Sequence, residues 1–164
     1  MGITIIAGLA SGTDVFTNVK NREDPVVGAM APDFSLMTLS GEEIGLVDLR
    51  GKPVVINFWA TWCAPCVIEM PILQKYYEIY KDEIEVLAIN ADEPPVQVQK
   101  FIEGIEVTFP ILLDPGAVLQ DLYRIRGYPT TFFLDTKGII RIQHIGLLKE
   151  EQIEGYLLEV GVGR

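Results

Sequence analysis

Trp59-Ala60-Thr61-Trp62-Cys63-Ala64-Pro65-Cys66 contains both cysteines of the chain, separated by two residues. Just before it lies Val54-Val55-Ile56-Asn57-Phe58, a nearly continuous apolar run that suits a central strand buried on both faces. From Cys63 to Tyr80 the apolar residues Cys66, Ile68, Met70, Leu73, Tyr76, Tyr77 and Tyr80 return at helical spacing. Pro71 falls inside that pattern and is expected to kink the helix, because it removes one backbone donor. A strand thus delivers a Cys-x-x-Cys pair to the first turn of a helix. There, unpaired backbone N–H groups and the helix dipole favour negative charge. A thiolate is such a charge and is the reactive form of cysteine. The stretch reads as a dithiol/disulfide redox site.

Composition narrows the rest. A chain of 164 residues fits one domain with a real core, and 49% hydrophobic and 22% charged residues fit an ordinary globular protein. The net charge of -10 argues against a nucleic-acid partner, because phosphate binding needs clustered Lys and Arg. Two cysteines are too few for a disulfide scaffold. With the single His144 they supply three candidate zinc ligands where a structural site takes four, so no metal is expected.

Outward from the cysteines, Ile84–Asn90 reads as a second buried strand, Val96–Glu103 as a short helix, Phe109–Leu113 as an extended piece and Pro115–Tyr123 as a helix. Thr130–Leu134 and Ile139–Gln143 flank Asp135-Thr136-Lys137-Gly138, a strong hairpin signal, and Lys149–Val160 closes as an amphipathic helix. Upstream, Ala31–Leu36 and Glu43–Leu46 flank the turn Ser40-Gly41 as a small hairpin. Strands alternating with helices, then a hairpin and a last helix, describe an α/β sandwich with a mixed sheet. Its first two long strands are expected to be parallel, with a right-handed crossover through the Cys63 helix. The folded domain is placed at residues 27–164. Residues 1–26 read as a flexible tail, an edge strand, or the trimmed remnant of a membrane anchor or export signal.

Phe58-Trp59-Ala60-Thr61-Trp62-Cys63-Ala64-Pro65-Cys66, with Gly127-Tyr128-Pro129-Thr130-Thr131-Phe132-Phe133-Leu134-Asp135 downstream, resembles the thioredoxin superfamily. More narrowly, the chain is similar to the ResA/TlpA-like thiol-disulfide oxidoreductases of bacteria. Ala31-Pro32-Asp33-Phe34 with its hairpin, Glu69 three residues after Cys66, and the segment Ala91–Ile111 support the narrower match, which covers about Val27 to Val160. The resemblance implies a thioredoxin-like three-layer sandwich, a mixed central sheet with helices on both faces and an added N-terminal β-hairpin. It also implies a monomeric reductant of exported proteins, with a role in cytochrome c maturation. The enzyme would need no cofactor beyond its own Cys63–Cys66 disulfide, and an upstream thiol donor would supply electrons. It would work outside the cytoplasm, periplasmic or on the outer face of the membrane, with an N-terminal tether; the alternative location is the cytoplasm.

Residue roles follow from the same match. Cys63, nearest the helix start, is the nucleophile and the more exposed sulfur, and Cys66 resolves the mixed disulfide. An inert structural disulfide is the plainer reading, but a four-residue loop constrains the unfolded chain little. Trp62, Ala64, Pro65, Tyr128 and Pro129 shape the substrate groove, with Pro129 in the cis form and Ala64 and Pro65 tuning the potential. Glu69, one turn beyond Cys66, is a proton carrier if it is buried, because desolvation raises proton affinity; otherwise it is a solvated helix residue. Asn57 departs from the buried aspartate of thioredoxins proper and cannot titrate. Trp59 reads as packing and His144 as structural or surface.

Three other functions compete. A peroxiredoxin-like peroxidase shares the Ala-Pro-Asp-Phe start but wants a threonine where Ala60 stands. A copper-delivery module on the same fold places three residues between its cysteines and adds a histidine ligand. A redox-inactive binding module has no use for an intact pair.

Overall fold

The structure, a computed structural model, describes residues 24–163. The tail reading of residues 1–26 therefore lies, up to residue 23, outside the described residues. The hairpin is β1 (Ser35–Met37) antiparallel to β2 (Glu43–Gly45). The central sheet is built from β3 (Val54–Trp59), β4 (Glu85–Asn90), β5 (Ile111–Leu113), β6 (Thr130–Leu134) and β7 (Ile140–Ile145), in the order β5-β4-β3-β6-β7. β3 runs parallel to β4, and β4 to β5, whereas β6 is antiparallel to both β3 and β7. The sheet is mixed, the fold thioredoxin-like, and the N-terminal hairpin is an addition to it. Thr38 bridges to Leu112, which ties the hairpin to the sheet edge.

β3 is central because it is apolar on both sides, and every one of its residues is buried. Val55 and Trp59 point into one core, with Met70 and Leu73 of α1 (Ala64–Tyr80), Val98 of α2 (Pro95–Ile102) and Ile153 and Leu157 of α4 (Glu150–Glu159). Val54, Ile56 and Phe58 point into the other, with Phe132, Tyr123 and Leu119 of α3 (Val118–Leu122). Helices thus cover both faces.

Two expectations need correction. Residues 115–123 are not one helix: Pro115–Ala117 is a 3-10 turn, Gly116 and Ala117 have φ of 74° and 55°, and α3 begins only at Val118. The buried Asp114 carboxylate fixes this break by accepting the N–H groups of Leu119 and Gln120, each at 2.9 Å. Secondly, the apolar Ile68 is 57% exposed, and its neighbour Glu69 takes the buried position. Pro71 lies within α1, on its exposed side.

Candidate active site

The end of β3 and the start of α1 meet at the cysteines. Cys63 is the N-cap of α1, and its Sγ accepts the N–H of Cys66 at 3.3 Å. Pro65 sits in the first turn, where a helix needs no donor from it. Cys63 and Cys66 are joined as a disulfide, with Cα atoms 5.3 Å apart. Both are buried, Cys63 at 5% exposure and Cys66 at 1%, so what access the pair has lies at Cys63. Reduction would leave the Cys63 sulfur at the helix N-terminus, facing an N–H donor and the positive end of the dipole.

Around the pair the surface is uncharged and largely apolar. Trp62 is 68% exposed, and Ala64, Pro65, Val67 and Ile68 are also exposed. The Trp62 ring meets Tyr128 edge-on with centroids 5.6 Å apart, which brings the two distant motifs together. The Tyr128–Pro129 peptide bond is cis. Tyr128 is half-buried and its hydroxyl bonds to Gln120 of α3, while the Pro129 carbonyl accepts the N–H of Gly146 at 2.8 Å. Trp59 is fully buried and His144 bonds to Tyr156 on α4, so neither faces this surface.

Beneath the pair lies Glu69, with no exposed surface. Its Oε1 accepts from Asn57 Nδ2 at 2.7 Å and from Thr131 Oγ1 at 3.3 Å, and its Oε2 accepts the Leu148 N–H at 2.7 Å. Burial pushes its pKa up to about 7, against the three donors that pull it down. Among the described residues its hydrogen bonds go to these three groups and not to a sulfur. Asn57 Oδ1 is buried and unpartnered. A half-turn of that amide would present Oδ1 in place of Nδ2, so the pocket contains a partner for either protonation state of Glu69.

Sequence reasoning missed Thr131 and Leu148 as partners of this carboxylate. Thr131 stands in the Tyr-Pro-Thr-Thr run and pairs directly across from Asn57 in the sheet, a signal that strand register could have supplied. The Leu148 amide belongs to a loop far along the chain and carries no local mark. Among the described residues, no three His, Cys, Asp or Glu side chains are grouped to hold a metal ion.

A thioredoxin fold that carries a Cys-x-x-Cys disulfide at a helix N-terminus, among relatives of the same chemistry, defines a thiol-disulfide oxidoreductase. More particularly, the AhpC/TSA family matches residues 27–143, and the chain belongs to that family. The chain is 45% identical over 130 residues to the thioredoxin-like protein YneN of Bacillus subtilis (strain 168), covering 77% of this chain and 76% of that one. It is 41% identical over 157 residues to the thiol-disulfide oxidoreductase ResA of Geobacillus kaustophilus (strain HTA426), covering 94% and 90%. Among solved structures, StoA from Bacillus subtilis superposes with a TM-score of 0.67 at 32% identity, over 76% of this chain and 96% of that chain. The pneumococcal exposed lipoprotein thioredoxin Etrx1 of Streptococcus pneumoniae strain TIGR4 does so with a TM-score of 0.71 at 29% identity, over 78% and 99%.

Proposed function

We propose that the enzyme reduces disulfides in exported proteins, apocytochrome c among them, outside the cytoplasm. The observation that carries this reading is the buried Glu69 one turn behind Cys66. A carboxylate in a dry pocket opposes a second negative charge nearby, and residues three apart on a helix are neighbours. Glu69 thus weighs against a Cys66 thiolate and so favours the oxidised pair, which makes the reduced pair a good donor. The resemblance to ResA-like enzymes supports the same direction. The exposed lipoprotein named among the similar structures supports the location.

In this reading the Cys63 thiolate attacks one sulfur of the substrate disulfide and displaces the other as a thiolate. Cys66, deprotonated by Glu69, then attacks Cys63 Sγ. The Cys63–Cys66 disulfide forms, the second substrate sulfur leaves as a thiolate, and both substrate sulfurs end reduced by the enzyme's two electrons, one protonated by the proton Glu69 took from Cys66 and the other by water. An upstream thiol donor restores the reduced pair. Trp62, Ala64, Pro65, Tyr128 and Pro129 seat the extended substrate, and the enzyme acts as a monomer without a cofactor.

The test is the reduction potential of the pair, equilibrated against glutathione and dithiothreitol across pH. A value near thioredoxin's, about -270 mV, or lower is the expected result. A value near that of the strong oxidants, about -120 mV, would make the enzyme a disulfide donor and overturn the reductant reading.

A further inference from the structure

Two residues before Cys63, the loop between β3 and α1 is held by a carboxylate from another part of the chain. Glu93, in the turn between β4 and α2, accepts the Thr61 N–H at 2.8 Å on Oε2 and the Thr61 hydroxyl at 2.5 Å on Oε1. The fully buried Asn90, last residue of β4, donates Nδ2 to Oε2 at 2.8 Å, and Gln97 of α2 donates Nε2 to Oε1 at 2.8 Å. Four donors therefore fill the carboxylate's acceptor positions. The turn that presents it is itself fixed. Its Glu93 N–H returns to Asn90 Oδ1 at 3.1 Å, Asp92 adopts a left-handed φ of 54°, and the Ala91 N–H bonds to the Trp59 carbonyl at 2.9 Å. Gln97 also donates to Thr61 Oγ1 at 2.9 Å, so that hydroxyl both gives and receives.

A half-buried carboxylate with four donors is a strong anchor, because hydrogen bonds to ionised groups are worth roughly twice neutral ones. What it anchors is the segment that places Trp62 on the surface and turns Cys63 into the N-cap, closed by the Cys63 N–H to the Ala60 carbonyl at 3.2 Å. We infer that Glu93 is a positioning residue for disulfide exchange. Through Thr61 it holds the loop that sets Cys63 against the first turn of α1 and so sustains the reactivity of its thiolate. The inference rests on Cys63 being the attacking thiol.

Iodoacetamide alkylation of the reduced protein as a function of pH, with the two cysteines resolved by mass spectrometry, tests it together with the equilibrium against glutathione. In the native enzyme Cys63 should alkylate before Cys66; the reverse order overturns the Cys63 assignment rather than the role of Glu93. Glu93→Ala should slow Cys63 alkylation at pH 7 roughly tenfold, about the effect of one charged hydrogen bond. Its pH profile should move to higher pH, and the glutathione equilibrium should shift. Glu93→Gln should recover most of this, since its oxygen keeps Thr61 N–H and Asn90, its amide can donate to Thr61 Oγ1, and the exposed Gln97 amide can turn over. A folded Glu93→Ala with the native alkylation profile and glutathione equilibrium overturns the inference. So does faster alkylation in both variants, which would mean that Glu93 acts by its charge. If Glu93→Ala does not fold, Thr61→Val decides. It deletes the hydroxyl bonds and keeps the N–H bond, and should slow Cys63 alkylation severalfold; a native profile in it overturns the inference equally.

Discussion

The two faces of the central sheet bury different things. On the α3 face, Phe58, Phe132 and Tyr123 pack ring against ring beside Ile56, with Tyr123 5.4 Å from Phe58 and 5.3 Å from Phe132 between centroids. The one hydroxyl in that group, on Tyr123, donates to the Pro32 carbonyl at 2.7 Å. On the α1 face the same strand β3 carries Asn57 and Trp59, and Asn57 Oδ1 and Trp59 Nε1 are the buried side-chain atoms without a partner among the described residues. That face also holds the Glu69 carboxylate and the disulfide. Unpartnered and titratable groups cost stability where they are buried. Asn57 Oδ1, Trp59 Nε1, Glu69 and the disulfide share the α1 face, whereas the buried Asp114 at the start of α3 and the Tyr123 hydroxyl are hydrogen-bonded, so the α3 face supplies packing while the α1 face gives up some packing for chemistry.

Replacing Cys63 by Ser should separate these contributions most sharply. Exchange activity should fall by at least roughly a thousandfold, because the remaining thiol, Cys66, is 1% exposed and out of reach of a protein disulfide. Stability relative to the oxidised enzyme should fall by only about 2 kcal/mol, the loop-closure value for so short a ring. An insulin-reduction assay beside a urea titration reads both. A large stability loss with residual exchange would erase the contrast between the faces.

Phe132→Ala is the mirror of that variant. Truncating a fully buried aromatic should cost about 3–5 kcal/mol of unfolding free energy. The glutathione equilibrium of the folded protein should stay at its native position. If that equilibrium moves, the two faces are coupled through β3 and the division is wrong.

Glu69 allows a test within the α1 face. The folded state binds the Glu69 proton more tightly than the unfolded chain, with a pKa of about 7 against an ordinary 4.5. Its contribution is therefore complete below pH 4.5 and is lost as pH rises through 7, and it amounts to roughly 3 kcal/mol across the window. In Glu69→Gln this downward slope of stability between pH 4.5 and 7 should vanish, as read from urea midpoints at successive pH values. Exchange should slow as well, because the amide carries no proton for Cys66. A slope that persists would place the titration elsewhere.

How much of this division could be read in the sequence depends on the range of the interactions involved. β3, α1 and the β6–β7 hairpin were legible because periodicity and turn residues are local, and the cysteines announce themselves by spacing. The α1 pattern failed at Ile68 and Glu69, where tertiary partners outweigh hydropathy. Asn57, Thr131 and the Leu148 amide together make a buried place for a carboxylate, and no window around Glu69 contains them. The split before α3 has the same origin, since the Asp114 cap that fixes it also depends on burial. Glu93 was hidden similarly, as one acid in a polar turn until β4 sets that turn beside Thr61.

The smallest effect expected belongs to the surface above the division. Trp62 is 68% exposed and touches Tyr128, so its ring belongs to neither core, and in the proposed function it meets the substrate. Trp62→Ala should leave the urea midpoint within about 0.5 kcal/mol of native, as surface changes usually do. It should raise KM for a protein disulfide severalfold, on the order of 1 kcal/mol for an exposed aromatic anchor, with little change in kcat. With a small non-peptide disulfide such as hydroxyethyl disulfide, which offers no peptide chain for the ring to hold, the variant should match the native enzyme. Equal losses on both substrates would assign the ring to the reactivity of Cys63, and the uncharged rim would then serve the chemistry rather than partner docking.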